Sequence, residues 1–223
     1  MESRELVSCA ICKTRREKRF CPPLHERICP QCCGEAREVT LDCPSDCVYL
    51  QQARLHERPV PLEQLEPGAL FAATEVGKQF VYEHEHLLLG LSFAISKTAR
   101  GDRTLHDQDI IAALTAMGKT YDTLVNSGLH YQVSPGGLSQ QALITELEKT
   151  LKEYRELEAK HRGYATLRDS DVLRAIVFLV RMAHSRTSGR PKSRALIDSL
   201  LEQFPEKTSV LAPEQAGSLI ISP

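Results

Sequence analysis

The residues best suited to chemistry are eight cysteines, all of them between Cys9 and Cys47. With His25 they form a spaced series: Cys9-x2-Cys12, Cys21-x3-His25, Cys29-x2-Cys32 and Cys43-x3-Cys47, with Cys33 directly after Cys32. Four ligand pairs are enough for two closed tetrahedral sites, and Zn(II) takes its four ligands from thiolate sulfur and imidazole nitrogen. A two-residue gap lets both sulfurs of a tight turn reach one ion. A three-residue gap does the same when the second ligand opens a helix. Pro44-Ser45-Asp46 reads as such a helix start, followed by Val48 to Ala53, and its positive end favours the Cys47 thiolate.

The spacing also restricts the pairing. Only three residues separate His25 from Cys29, so one ion gripping Cys21, His25, Cys29 and Cys32 would be crowded. Alternation relieves the crowding. It assigns Cys9, Cys12, Cys29 and Cys32 to one zinc ion and Cys21, His25, Cys43 and Cys47 to a second. Adjacent side chains diverge, so Cys33 is expected to be a bystander.

Other cysteine chemistries fit less well. A thioredoxin-like pair follows a strand of a βαβ unit, and the sequence predicts none. An iron–sulfur cluster recruits four cysteines in tighter runs. A disulfide scaffold belongs to an oxidising compartment. The interleaved ligand order resembles the cross-brace zinc modules of the RING, B-box and MYND type over about 40 residues. It departs from RING in its short middle gap and from MYND in its last pair, Cys43-x3-Cys47. The string from Ile28 to Gly34 and on from Arg37 to Cys47 is similar to an N-terminal signature of an uncharacterised bacterial protein family, a resemblance that implies no activity.

The elements that must position these ligands are few. Residues 1–53 contain only a handful of large apolar side chains (Phe20, Leu24, Ile28, Val39, Leu41, Tyr49, Leu50), so metal must supply folding energy there. Residues 54–67 hold Pro59, Pro61 and Pro67 among charges and read as a linker that leaves the two parts independent. Beyond it the apolar period is helical. The pattern predicts helices over Phe80–Thr98, from Thr104 (with Asp107 as a capping-box partner) to just before Gly128, over Ser139–His161, over Ser170–His184, and from Pro191 to an end at Pro205. Residues 68–205 are therefore expected to form an all-α bundle, and 206–223 a loose tail. The fold class is mostly α, with a small zinc-bound finger in front.

The chain has 223 residues and a formal net charge of -1, which excludes a polybasic protein but not a local basic patch. Its longest apolar stretch, Leu87 to Ile95, is far short of the roughly twenty residues of a membrane span. The start, Met1-Glu-Ser-Arg-Glu, lacks a basic region ahead of an apolar one, so the expected location is the cytosol, with no membrane partner.

Two basic runs are candidates for nucleic-acid contact: Lys13, Arg15, Arg16, Lys18 and Arg19, and later Arg190, Lys192 and Arg194. The first run has a simpler use. Four thiolates on one zinc ion leave a net charge of two minus, which nearby cations offset. It also lacks the interleaved aromatics of a single-strand binder. The second holds Gly189-Arg190-Pro191, which resembles one short copy of the minor-groove AT-hook core but has Ser188 before it. A solvated loop between helices suits it better.

Glu83-x-x-His86 and Glu158-x-x-His161 have the spacing used by di-iron bundles. In an up-down bundle their helices would run parallel and put the pairs at opposite ends, so they are expected to be separate helix-end residues. The sequence has no phosphate-binding glycine loop, nucleophile elbow or His-Glu-x-x-His motif, and no small-molecule substrate is indicated. The expected function is a zinc-binding, non-catalytic interaction or regulatory protein with a protein partner. Its rival is a nucleic-acid-binding finger protein using the two basic runs.

Overall fold

The structure, a computed structural model, describes residues 8–57, 61, 71–129 and 136–206. Most of the 54–67 linker and the tail beyond Glu206 lie outside the described residues. The described chain is mostly helical, with one small cysteine-rich finger at its front.

The finger begins with an antiparallel hairpin of β1 (Arg19–Cys21) and β2 (Glu26–Ile28), in which Arg19 faces Ile28 and Cys21 faces Glu26. Pro22 and Pro23 fix φ for the tight turn between them, and His25 closes it in the left-handed region with φ 52°. Two short helices follow, α1 (Pro30–Ala36) and α2 (Val48–Arg54). Pro30 suits its first helical position, where no N–H partner is required. The buried aliphatics of the finger are Ile28, Leu41 and Leu50. Each contributes about 1.5–3 kcal/mol on burial, while ordering each residue's backbone costs about 1–2 kcal/mol. Side-chain packing alone does not hold this part together.

The bundle comprises α3 (Lys78–Glu83), α4 (Glu85–Gly101), α5 (Asp107–Ser127), α6 (Leu138–Arg162), α7 (Asp169–Arg186) and α8 (Ala195–Gln203). Three boundaries differ from the sequence reading. The helix expected over Phe80–Thr98 is broken at His84, which has φ -113° and ψ 23° and stacks its ring on Phe80 at 4.3 Å. The helix expected to open at Thr104 opens at Asp107. Its capping box uses His106 and Asp109, and the His106 N–H donates to Asp109 Oδ2 at 3.0 Å. Pro191 lies in a turn rather than opening α8.

Helix α5 is the hub, packed along α7 and α6, while α4 packs on α6 and α8. Ile110 and Leu114 of α5, Leu143, Leu147 and Leu151 of α6, and Ile176 of α7 are fully buried at their shared core. The helices do not follow the expected up-down order. Near their starts Gln140 of α6 donates to Asp109 of α5, and further along Tyr121 lies beside Leu151 and Arg155, so α5 and α6 run parallel. In contrast, Lys97 late in α4 pairs with Glu146 early in α6 at 2.6 Å, and Gly90 faces Thr150, so α4 and α6 are antiparallel. Ahead of the bundle, Phe71 lays its ring over α5 at Gly118, where a Cβ would stand 2.5 Å from the ring. The Arg181 guanidinium holds that segment by donating to the Phe71 and Thr74 carbonyls, each at 2.9 Å. No helix among the described residues is long and apolar enough to cross a membrane.

The finger is seated on the bundle rather than standing apart. Glu38, 1% exposed, joins Arg54 at 3.0 Å and accepts from Ser188 Oγ at 3.1 Å, and its carbonyl accepts the Lys192 N–H at 2.8 Å. Arg54 reaches on to Asp198 of α8 at 2.6 Å, and Ser45 donates to the same carboxylate at 2.7 Å. The turn between α7 and α8 that receives the finger is tied to the bundle in turn. Ser193, fully buried, donates to Asp107 Oδ2 at 2.7 Å, and the Leu196 and Ile197 N–H groups donate to the same carboxylate. Burial pushes the Asp107 carboxyl above its ordinary pKa, against the pull of those donors.

Candidate metal centre

Cys9 and Cys12 lie in a tight turn that the chain pins from both sides. The Lys13 N–H donates to the Cys9 carbonyl at 2.8 Å, with Lys13 in the left-handed region at φ 58°. The Cys9 N–H donates to the Arg15 carbonyl at 2.8 Å, and the Ala10 N–H to the Arg27 carbonyl of β2 at 3.1 Å. Cys29 and Cys32 come from the start of α1, where Cys29 is the N-cap and its sulfur accepts the Cys32 N–H at 3.4 Å. The two turns face each other. The sulfurs of Cys9, Cys12, Cys29 and Cys32 all lie within 4.8 Å of one another, and Cys9, Cys29 and Cys32 are buried. These are the four residues that alternation assigns to the first site.

The electrostatics suit a shared ion. Cys12 is drawn down to about 5 by hydrogen bonds from the Thr14 side chain and from the Thr14 and Arg15 backbones. At Cys32 the Arg15 bond pulls the pKa down. Burial and the neighbouring sulfurs of Cys29, Cys12 and Cys9 outweigh it and push the thiol up to about 11. Four sulfurs this close cannot all ionise without a cation among them, and a divalent metal supplies that charge. Arg15 supplies part of it from outside, since its Nη2 donates to Cys32 Sγ at 3.4 Å while Nη1 bonds Gln31. Thiolates bound to a metal are soft donors with no proton left to give, so this set fits one tetrahedral ion.

Comparison with protein-family models, curated proteins and solved structures finds no match. The site therefore rests on its own geometry.

The remaining candidates are placed as follows. Cys21, Cys33, Cys43 and Cys47 line one small cavity behind α1, with Tyr49 and Leu50 among its walls. His25 is exposed at the hairpin turn and does not line that cavity. Lys13, Arg16 and Lys18 are exposed, whereas Arg15 and Arg19 turn inward to sulfur, Arg19 donating to Cys33 Sγ at 3.5 Å. In the second basic run, Arg190 donates to the Gly34 and Arg37 carbonyls at 3.0 and 2.6 Å. Lys192 reaches the Thr40 carbonyl at 3.3 Å, and Arg194 the Arg103 and Leu105 carbonyls at 2.8 and 2.5 Å.

The two Glu-x-x-His pairs need a correction. Because α4 and α6 are antiparallel, His86 and His161 line one groove instead of lying at opposite ends. The groove still lacks ligand character: both histidines are exposed, and Glu158 is committed to the Thr166 hydroxyl and the Thr166 and Leu167 N–H groups at 2.5–3.0 Å.

Sequence reasoning missed the seat of the finger on the bundle. It centres on Glu38, buried at φ 53°, which no spacing in the sequence marks.

Proposed function

We propose that the chain is a zinc-binding, non-catalytic interaction or regulatory protein that holds two zinc ions in a finger seated on a helical bundle. The observation that carries this reading is the convergence of four cysteine sulfurs within 4.8 Å. A set of four thiolates fills a tetrahedral zinc ion, whereas catalytic zinc keeps a position open for water or substrate. Zinc in such a site stabilises a fold that cannot support itself. Here that fold presents Ile11, Phe20, Leu24, Val39 and Val48 to solvent, all more than a third exposed, which supports a protein partner. The basic runs support that choice over nucleic acid. The guanidinium groups of Arg15 and Arg19 serve sulfurs, and Arg190, Lys192 and Arg194 serve carbonyls within the chain.

Elemental analysis of the purified chain tests the metal: zinc is expected, and iron with acid-labile sulfide overturns the reading. Titration with labelled duplex and single strands at physiological salt tests the partner class. Weak, sequence-blind binding is expected. A sub-micromolar, sequence-selective affinity overturns the protein-partner reading in favour of nucleic acid.

A further inference from the structure

We propose that Cys21, Cys33, Cys43 and Cys47 bind the second zinc ion, with Cys33 rather than His25 as its fourth ligand, around the small cavity that these four side chains line. The proposal rests on the two-zinc reading above and changes its ligand set.

Three observations point the same way. The first is the direction of side chains on α1. Consecutive helical residues are about 100° apart around the axis, so Cys32 and Cys33 cannot both face one ion. Cys32 faces Cys9, Cys12 and Cys29, while Cys33, 9% exposed, turns to the cavity on the other side. Helix α1 thereby becomes a wall with one ligand on each face. The divergence of adjacent cysteines that keeps Cys33 out of the first set is what delivers it to the second.

The second observation is that an arginine donates to a sulfur of each set. In the first, the Cys32 N–H donates to Cys29 Sγ at 3.4 Å and Arg15 Nη2 donates to Cys32 Sγ at 3.4 Å. In the second, Arg19 donates to Cys33 Sγ at 3.5 Å while its guanidinium stacks over Tyr49 at 4.7 Å. Hydrogen bonds of this kind favour a charged sulfur. An arginine aimed at Cys33 gains a charged partner when Cys33 is a bound thiolate. Each zinc with four thiolates carries two negative charges, and each set has its own arginine at a sulfur.

The third is size. The cavity is ≈ 10 Å³, about the room of a single water-sized sphere. It suits one ion and excludes an organic ligand. The second set is looser than the first: among the described residues only Cys9, Cys12, Cys29 and Cys32 have all their sulfurs mutually within 4.8 Å. Zinc–sulfur bonds of about 2.3 Å draw such a set together. His25 starts from a worse position, exposed and held at φ 52° beyond two prolines.

Zinc X-ray absorption on the intact chain, with metal counts for Cys33→Ser and His25→Ala, tests the assignment. The expected result is two zinc ions in the intact chain with sulfur alone in the first shell, one ion in Cys33→Ser and two in His25→Ala. Two ions with a nitrogen in the shell, one lost in His25→Ala and none in Cys33→Ser, overturns the ligand choice while leaving the two-zinc reading intact. One ion in the intact chain overturns that reading and the second site with it. Should Cys33→Ser aggregate, the shell composition of the intact chain still decides between seven sulfurs with one nitrogen and eight sulfurs.

Discussion

Replacing Glu38 by alanine tests whether the finger braces the bundle. The substitution removes two bonds from a site that is 1% exposed: the ion pair to Arg54 at 3.0 Å and the acceptor for Ser188 Oγ at 3.1 Å. A hydrogen bond to a charged group contributes about 1.5–3 kcal/mol, and both of these end on the Glu38 carboxylate. Arg54 is not left stranded, because it keeps Asp198 at 2.6 Å and is one-fifth exposed, so the lower half of the combined range applies. The expected loss is about 3 kcal/mol. With a urea slope of about 1–3 kcal/mol per molar, that moves the unfolding midpoint of the purified chain down by about 1 M or more. Two companion variants sharpen the test. Glu38→Gln keeps an acceptor oxygen and should lose about half as much. Glu38→Gly removes the same bonds as alanine but relieves the left-handed backbone at φ 53°, and should recover about 1 kcal/mol relative to alanine. Hydrogen exchange over residues 186–194 reports whether the seat has opened. If Glu38→Ala leaves both the midpoint and that protection unchanged, the finger rests on the bundle without stabilising it and the reasoning is refuted.

Asp107→Ala leaves Ser193 Oγ and the Leu196 and Ile197 N–H groups without their acceptor in a buried position, and should cost about 3 kcal/mol or more by urea unfolding. The same carboxyl gives a pH signature. Because its folded pKa is raised, its stabilising contribution is full below the ordinary value of 3.8 and is lost as pH rises through the folded value. Unfolding titrations of Asp107→Asn should therefore lack that downward step. Gly118→Ala places a methyl 2.5 Å from the Phe71 ring and should displace it, with a loss of about 1–3 kcal/mol and new protease sensitivity near residue 71. Arg15→Ala removes the guanidinium that donates to Cys32 and should weaken metal retention against a chelator by about 10–100-fold, with Arg16→Ala as the inert control.

What the sequence made legible was local. The pairs Cys9/Cys12 and Cys29/Cys32 each need only a turn, and alternation matched them correctly from spacing alone. The helix cores were visible in rows such as Leu143, Leu147 and Leu151, because a buried stripe has to repeat at the helical period. Helix direction was not visible. Whether α6 runs with α4 or against it depends on where the chain re-enters after Gly128, which no periodicity records. The capping residue was misread for a related reason: Asp107 looked like a partner for Thr104 until α8 supplied two N–H groups from 89 and 90 residues further on. The place of Cys33 depends on which side of a seven-residue helix faces which ligands, and its neighbour Cys32 hides that in the linear text.

The bond between Glu38 and Ser188 spans 150 residues, and this separation sets an order of events during synthesis. The finger's ligands leave the ribosome first and its seat last. Closing so long a loop costs only a few kcal/mol more than closing a short one, since the entropy grows with the logarithm of length, but it is slow to find. For most of translation, then, the nascent finger has only its hairpin, its few buried side chains and whatever metal it binds to hold it together. A chain that starts in a metal-poor cell would present its docking turn to a finger that has not formed. Metal supply at the time of synthesis, rather than at the time of action, would decide how many molecules reach the assembled state.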